Sequence, residues 1–140
     1  MSIAELAPAY IRAISPYQPG KPITQLAREM GIPVDKIVKL ASNENPLGMS
    51  PRARAATQAA MDGIERYPDQ FDLTAALSER FGVGMEQIVL GNGSNDVLDL
   101  VARVFLAPGR SSVFSRHAFA VYPLATLSAG GECIVVPAKH

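Results

Sequence analysis

Gln87–Phe105 reads QIVLGNGSNDVLDLVARVF, and the fold class follows from how this stretch is divided. Ile88, Val89 and Leu90 are a short β-prone run that stops at Gly91, and from Asn95 the apolar period changes. Val97, Leu98, Val101, Val104 and Phe105 then fall on one face of a helix. In the turn between them, Gly91 and Gly93 admit backbone conformations that a side chain would block, so a ligand can approach the main chain closely. Ser94, Asn95 and Asp96 lie at the helix N-terminus, where the first amides lack intrahelical acceptors and the positive end of the dipole is exposed. The segment therefore predicts a cradle for a phosphate-like anion, with the Ser94 hydroxyl as a further donor. Asp96 opposes such an anion, which predicts either that it caps the helix with its side chain turned away or that only its amide faces the ligand. The same residues also build a capped strand-to-helix turn with no ligand at all.

Downstream, the pattern repeats: strand 87–90, helix 95–106, strand 112–115, helix about 119–129, strand 132–136. This βαβαβ order predicts an α/β fold with a mostly parallel sheet, helices on both faces and right-handed crossovers. Upstream, Pro16, Pro19, Gly20 and Pro22 make residues 15–23 an extended arm, because each proline fixes φ and withholds a donor. Helices are expected over 24–30, 51–61 and 73–81, the second with Ser50 as N-cap and Pro51 at its first position, and a brief strand over 36–40. A third strand followed directly by Lys139 and His140 leaves a sheet edge and face uncovered, so the chain reads as the truncated first part of a larger protein.

Composition narrows the function classes. Of 140 residues, 48% are hydrophobic, enough for a globular core, and 13 basic residues balance 13 acidic ones without a basic run. Nucleic acid is excluded as an expected partner. No run approaches the ~20 apolar residues of a membrane span, and Glu5, Pro8 and Arg12 interrupt any signal-like segment, so no membrane association and a cytoplasmic location are expected. The single cysteine, Cys133, sits in an apolar run and reads as a small packed hydrophobe. His117 reads as a partly exposed turn residue, and no metal site is expected.

Five segments, ISPYQPGKP, KLASNENPLG, RYPD, QIVLGNGSNDVLDLVARVFLAPG and HAFAVYPLAT, occur in this order. Together they resemble the N-terminal part of the histidinol-phosphate aminotransferases, fold-type I enzymes dependent on pyridoxal 5'-phosphate. The resemblance covers residues 10–137, and LASNENPLG followed by RYPD and GNGSND is its specific part. It implies that residues 1–35 form an N-terminal arm and small-domain segment and 36–140 the first, incomplete part of the large cofactor-binding domain.

The resemblance also implies site residues. The anion becomes the cofactor phosphate, held by Ser94, Asn95 and Asp96, and Phe119 takes the place of an aromatic ring that stacks on the pyridine face. A phenylalanine there stacks without the hydroxyl that a tyrosine would offer. Tyr67 corresponds to a tyrosine that reaches the phosphate in the neighbouring subunit of a homodimer, and Tyr17, Asn43, Glu44 and Asn45 to the substrate side. The implied reaction transfers an amino group between glutamate and imidazole-acetol phosphate, giving histidinol phosphate and 2-oxoglutarate. The family's cofactor-bearing lysine belongs to a serine-lysine motif beyond position 140. Lys21, Lys36, Lys39 and Lys139 match no such motif, so no catalytic residue is expected in this chain and the chain alone is expected to be inactive. An aromatic-amino-acid aminotransferase and a threonine-phosphate decarboxylase share these early segments. A non-catalytic phosphate-binding module is the alternative from another class. A dinucleotide site fits poorly, because GNGSND lacks the third glycine of the fingerprint.

Overall fold

A computed structural model describes residues 3–138, so Lys139 and His140 lie outside the described residues. In chain order they form α1 (Ala9–Arg12), α2 (Ile23–Met30), α3 (Pro51–Ala60), α4 (Phe71–Phe81), α5 (Ser94–Phe105), β1 (Ser111–Ser115), α6 (Val121–Ser128) and β2 (Glu132–Val136). Single 3₁₀ turns occupy Ile3–Leu6, Val34–Lys36, Met61–Gly63 and Met85–Gln87. Local chemistry sets several boundaries. Ser50 Oγ accepts the Ala53 N–H at 3.1 Å, and Pro51 begins α3, where a missing donor costs nothing. Pro123 is tolerated in α6 because it lies in the first turn, before intrahelical amide bonds begin.

Contacts divide the chain into two units, one of residues Gln18–Gln70 and the other of residues up to Tyr17 together with those from Phe71 onward. The Gln18–Gln70 unit carries α2 and α3. Ala27 of α2 is its buried residue among those described, and Lys21 pairs with Glu29 on the surface. In the other unit β1 and β2 pair in parallel, from Ser111 opposite Glu132 to Ser115 opposite Val136. The crossover helix α6 lies against both strands, and α1 and α5 pack on α6. Ala102, Val121 and Ala125 form the buried core, with Leu98 and Leu106 packed against it.

Among the described residues one buried side chain is polar, Thr126, 2% exposed. Its hydroxyl donates to the Tyr122 carbonyl at 2.7 Å and lies 2.6 Å from Ser112 Oγ. A hydroxyl has one proton, so Ser112 is the donor in the second bond, which ties α6 to β1. The apolar face of α5 is covered toward its start and open toward its end: Leu98 is half-buried, whereas Val104 is 72% and Phe105 62% exposed.

Two expected strands require correction. Ile88 and Ile37 have extended backbones (φ −110°, ψ 125° and φ −101°, ψ 123°), yet neither 87–90 nor 36–40 is a strand among the described residues. Among the described residues the sheet has two strands, not three. Extended φ and ψ are local properties, whereas a strand needs a neighbouring segment to exchange N–H···O=C bonds. The expected helices are present with shifted ends: 95–106 is Ser94–Phe105, 24–30 is Ile23–Met30, 73–81 is Phe71–Phe81, about 119–129 is Val121–Ser128, and 51–61 is Pro51–Ala60 continued by a 3₁₀ turn. Among the described residues no helix is long and apolar enough to cross a membrane.

Candidate functional site

The turn that begins α5 depends on two glycines for two different reasons. Gly93, the N-cap residue, has φ 96°, a conformation that side-chain-bearing residues rarely adopt. Gly91 lies so close to the first helical turn that a Cβ there would stand 2.8 Å from Val97 Cγ2 and 3.1 Å from Asp96 Oδ2. The chain is thereby folded tightly onto its own helix start.

Of the two parts expected of Asp96, that of helix cap is not the one it takes. It is the third helical residue, and its carboxylate reaches back past Gly93 to accept the Asn92 N–H at 3.0 Å. The negative charge thus braces the turn and interacts favourably with the helix dipole. The amides of Ser94, Asn95 and Asp96 have no protein acceptor among the described residues, and Ser94 and Asn95 are exposed. Three free amides and a free hydroxyl at the start of a 12-residue helix match the needs of a phosphate group.

A cleft of about 480 Å³ opens beside this turn, with Asn92, Asn95, Asp96 and Asp99 on one side and Ile14, Leu124 and Ser128 on the other. Two carboxylates stand on its wall, Asp96 bonded to the Asn92 N–H and Asp99 paired with Arg103 at 2.7 Å, and neither Ser94 nor Phe119 lines it. The acceptor-free amides and Ser94, not this cleft, are the part suited to a phosphate.

Phe119 follows β1 in the loop before α6 and is 46% exposed. The edge of one ring meets the face of the other between Phe119 and Tyr17, with centroids 6.5 Å apart and planes at 82°. The structure therefore brings together the candidate stacking ring and one candidate substrate residue. His117 is exposed in the same loop, where the Ala118 N–H bonds the Ser115 carbonyl at 3.0 Å.

Asn43, Glu44, Asn45 and Tyr67 belong to the Gln18–Gln70 unit. Ser42 and Asn43 both have left-handed backbones (φ 72° and 48°), and Glu44 accepts from Lys39 Nζ at 2.7 Å. Asn45 uses its side chain at both ends: Oδ1 accepts the Leu47 N–H at 3.1 Å and Nδ2 donates to the Gly48 carbonyl at 3.0 Å. It closes the turn Asn45–Gly48, for which the Asn-Pro pair is a readable signal. Tyr67 is fully exposed. Burial raises the Cys133 thiol above its ordinary pKa. Among the described residues no cluster of histidine, cysteine or acidic side chains could hold a metal ion. Sequence reasoning missed Asp99 on the cleft wall and the Ser112–Thr126 bond. Both depend on helix packing that no local pattern reports.

A parallel crossover with a glycine turn feeding a helix N-terminus is an α/β arrangement suited to binding a phosphate group. A solved structure with the same chain path is the histidinol-phosphate aminotransferase from Sinorhizobium meliloti in complex with pyridoxal-5'-phosphate. The TM-score is 0.77 at 23% identity, over 96% of this chain and 35% of that one. The family model for aminotransferase class I and II matches residues 35–140, and the chain belongs to that family. Among curated relatives, histidinol-phosphate aminotransferase 1 of Dechloromonas aromatica is 77% identical over the whole chain. Histidinol-phosphate aminotransferase 2 of Nitrosospira multiformis is 66% identical, again over the whole chain. The chain spans 39% and 36% of the lengths of these two relatives.

Proposed function

We propose that the complete protein carrying this chain is a pyridoxal-phosphate-dependent aminotransferase acting between glutamate and imidazole-acetol phosphate, with histidinol phosphate and 2-oxoglutarate as products. The observation that carries the reading is 77% identity, without a gap in coverage of this chain, to a protein named for that activity. The free amides at Ser94, Asn95 and Asp96 support it, because they are what a cofactor phosphate requires.

When bound, pyridoxal phosphate supplies the amino-group carrier and electron sink of transamination. The residues of this chain bind and orient. The Ser94, Asn95 and Asp96 amides and the Ser94 hydroxyl hold the phosphate, while the Asp96 carboxylate, engaged by Asn92, keeps the turn in shape. Phe119 covers one ring face and excludes water from it, with the Tyr17 ring against it. Tyr17, Asn43, Glu44 and Asn45 serve the substrate. Residues 1–35 act as arm and small-domain segment, and 36–140 as the first part of the large domain. The reading includes a cytoplasmic homodimer in which Tyr67, wholly exposed on its own chain, donates to the phosphate bound by the partner.

The test is made on the complete protein. Histidinol phosphate with 2-oxoglutarate should give glutamate in a reaction that needs pyridoxal phosphate. Faster turnover of an aromatic amino acid, or release of carbon dioxide from threonine phosphate, would redirect the assignment. Tyr67→Phe should lose one charge-assisted hydrogen bond, about 1.5 to 3 kcal/mol, and cofactor affinity measured by equilibrium dialysis should fall accordingly.

A further inference from the structure

The loop that carries Asn43 and Glu44 is held in an unfavourable shape. Ser42 and Asn43 are consecutive residues with positive φ, and neither is glycine. Asparagine adopts this region comparatively readily, but a serine there is held by its surroundings. Three contacts hold it. Lys39 Nζ bonds Glu44 Oε1 at 2.7 Å across these two residues. The Asn45 side chain locks the following turn. The backbone at Gly20 lies against Ser42, where an added Cβ would stand 3.0 Å from Ser42 Oγ.

Of these contacts, the ion pair has an unusual asymmetry. The Lys39 side chain is only 16% exposed, whereas that of Glu44 is 59% exposed. A lysine is rarely withdrawn from water to this extent without a partner. The half-exposed pair adds little to global stability, because solvent and salt screen it. Its consequence is local. It fixes Glu44 relative to the kink at Ser42 and Asn43 and neutralises a carboxylate that would otherwise repel anionic substrates.

We propose that Lys39 is a positioning residue for substrate recognition, holding the 41–48 loop and its Glu44 carboxylate in the shape that admits a phosphorylated or dicarboxylic substrate. This rests on the proposed function, which assigns the loop to the substrate side. The role is indirect, since Lys39 acts through Glu44.

The test uses the complete protein and three variants, Lys39→Met, Lys39→Arg and Lys39→Met combined with Glu44→Gln. K39M should raise KM for histidinol phosphate roughly three- to tenfold, more at low salt, with kcat within about twofold. Amide hydrogen exchange over 41–48 should accelerate, and K39R should restore both readouts. In the double variant, removal of the unpaired carboxylate should recover part of the KM. Unchanged KM and unchanged exchange in K39M would overturn the inference, as would a K39R variant as impaired as K39M. A wild-type enzyme inert toward histidinol phosphate, with exchange still accelerated in K39M, would overturn the functional reading and leave the clamp on the loop standing.

Discussion

The Asp96 carboxylate accepts the Asn92 N–H at 3.0 Å, bending an acidic side chain back onto the turn that precedes its own helix. The residue that would most oppose a phosphate is thereby committed to shaping the phosphate's cradle. Asp96→Ala should release the turn and cost about 1 to 2 kcal/mol of stability in urea unfolding, with weaker binding of pyridoxal phosphate. Asp96→Asn keeps an acceptor for Asn92 and removes the charge. It should therefore bind the cofactor better than the alanine variant, and equal affinities for the two would contradict the bracing role.

Gly91→Ala should be more damaging than a typical surface substitution. The added Cβ would meet Val97 Cγ2 at 2.8 Å, so either the helix start or the turn must move. Overpacking of this kind costs about 1 to 3 kcal/mol. The midpoint of thermal unfolding should fall and cofactor affinity should fall with it. Retention of both would show that the turn is looser than the contact distance implies.

Thr126→Val should destabilise the unit built on β1 and β2, because it leaves the half-buried Ser112 hydroxyl without its acceptor. The expected loss is about 1 to 3 kcal/mol in chemical denaturation. Ser112→Ala combined with Thr126→Val should cost less than the sum of the single changes, since the pair then has no orphaned group. Strict additivity would mean that the bond between α6 and β1 contributes nothing.

Cys133 should react slowly with iodoacetamide at neutral pH, because its thiol pKa is raised by burial. The neutral form is favoured in the folded state. Its contribution to stability is present below the ordinary thiol pKa and is lost as pH rises through the elevated folded value. Alkylation rates measured against pH should climb later than those of an exposed thiol, and an earlier rise would refute the shift.

Much of the chain was legible from local signals. Ser50-Pro51 announced α3, and the change of apolar period at Asn95 announced α5. The Gly-Asn-Gly-Ser turn pointed to the helix N-terminus, since glycine's freedom and the orphan amides of a first turn are properties of a few consecutive residues. The quoted motifs pointed to the family that the model over residues 35–140 identifies.

Other features needed the tertiary structure. Ile88–Leu90 and residues 36–40 have strand-like composition but no ladder among the described residues, because pairing is decided by a distant segment and not by propensity. The Asp96–Asn92 brace, the edge-to-face contact of Tyr17 with Phe119 and the donor direction from Ser112 to Thr126 follow from where backbones cross or fold back. Sequence by itself determined which segments turn, begin helices and offer free amides, since those are short-range consequences of sterics and hydrogen-bond valence. Only the tertiary structure decided which side chains meet, because contact between residues far apart in the chain depends on how helices and strands pack.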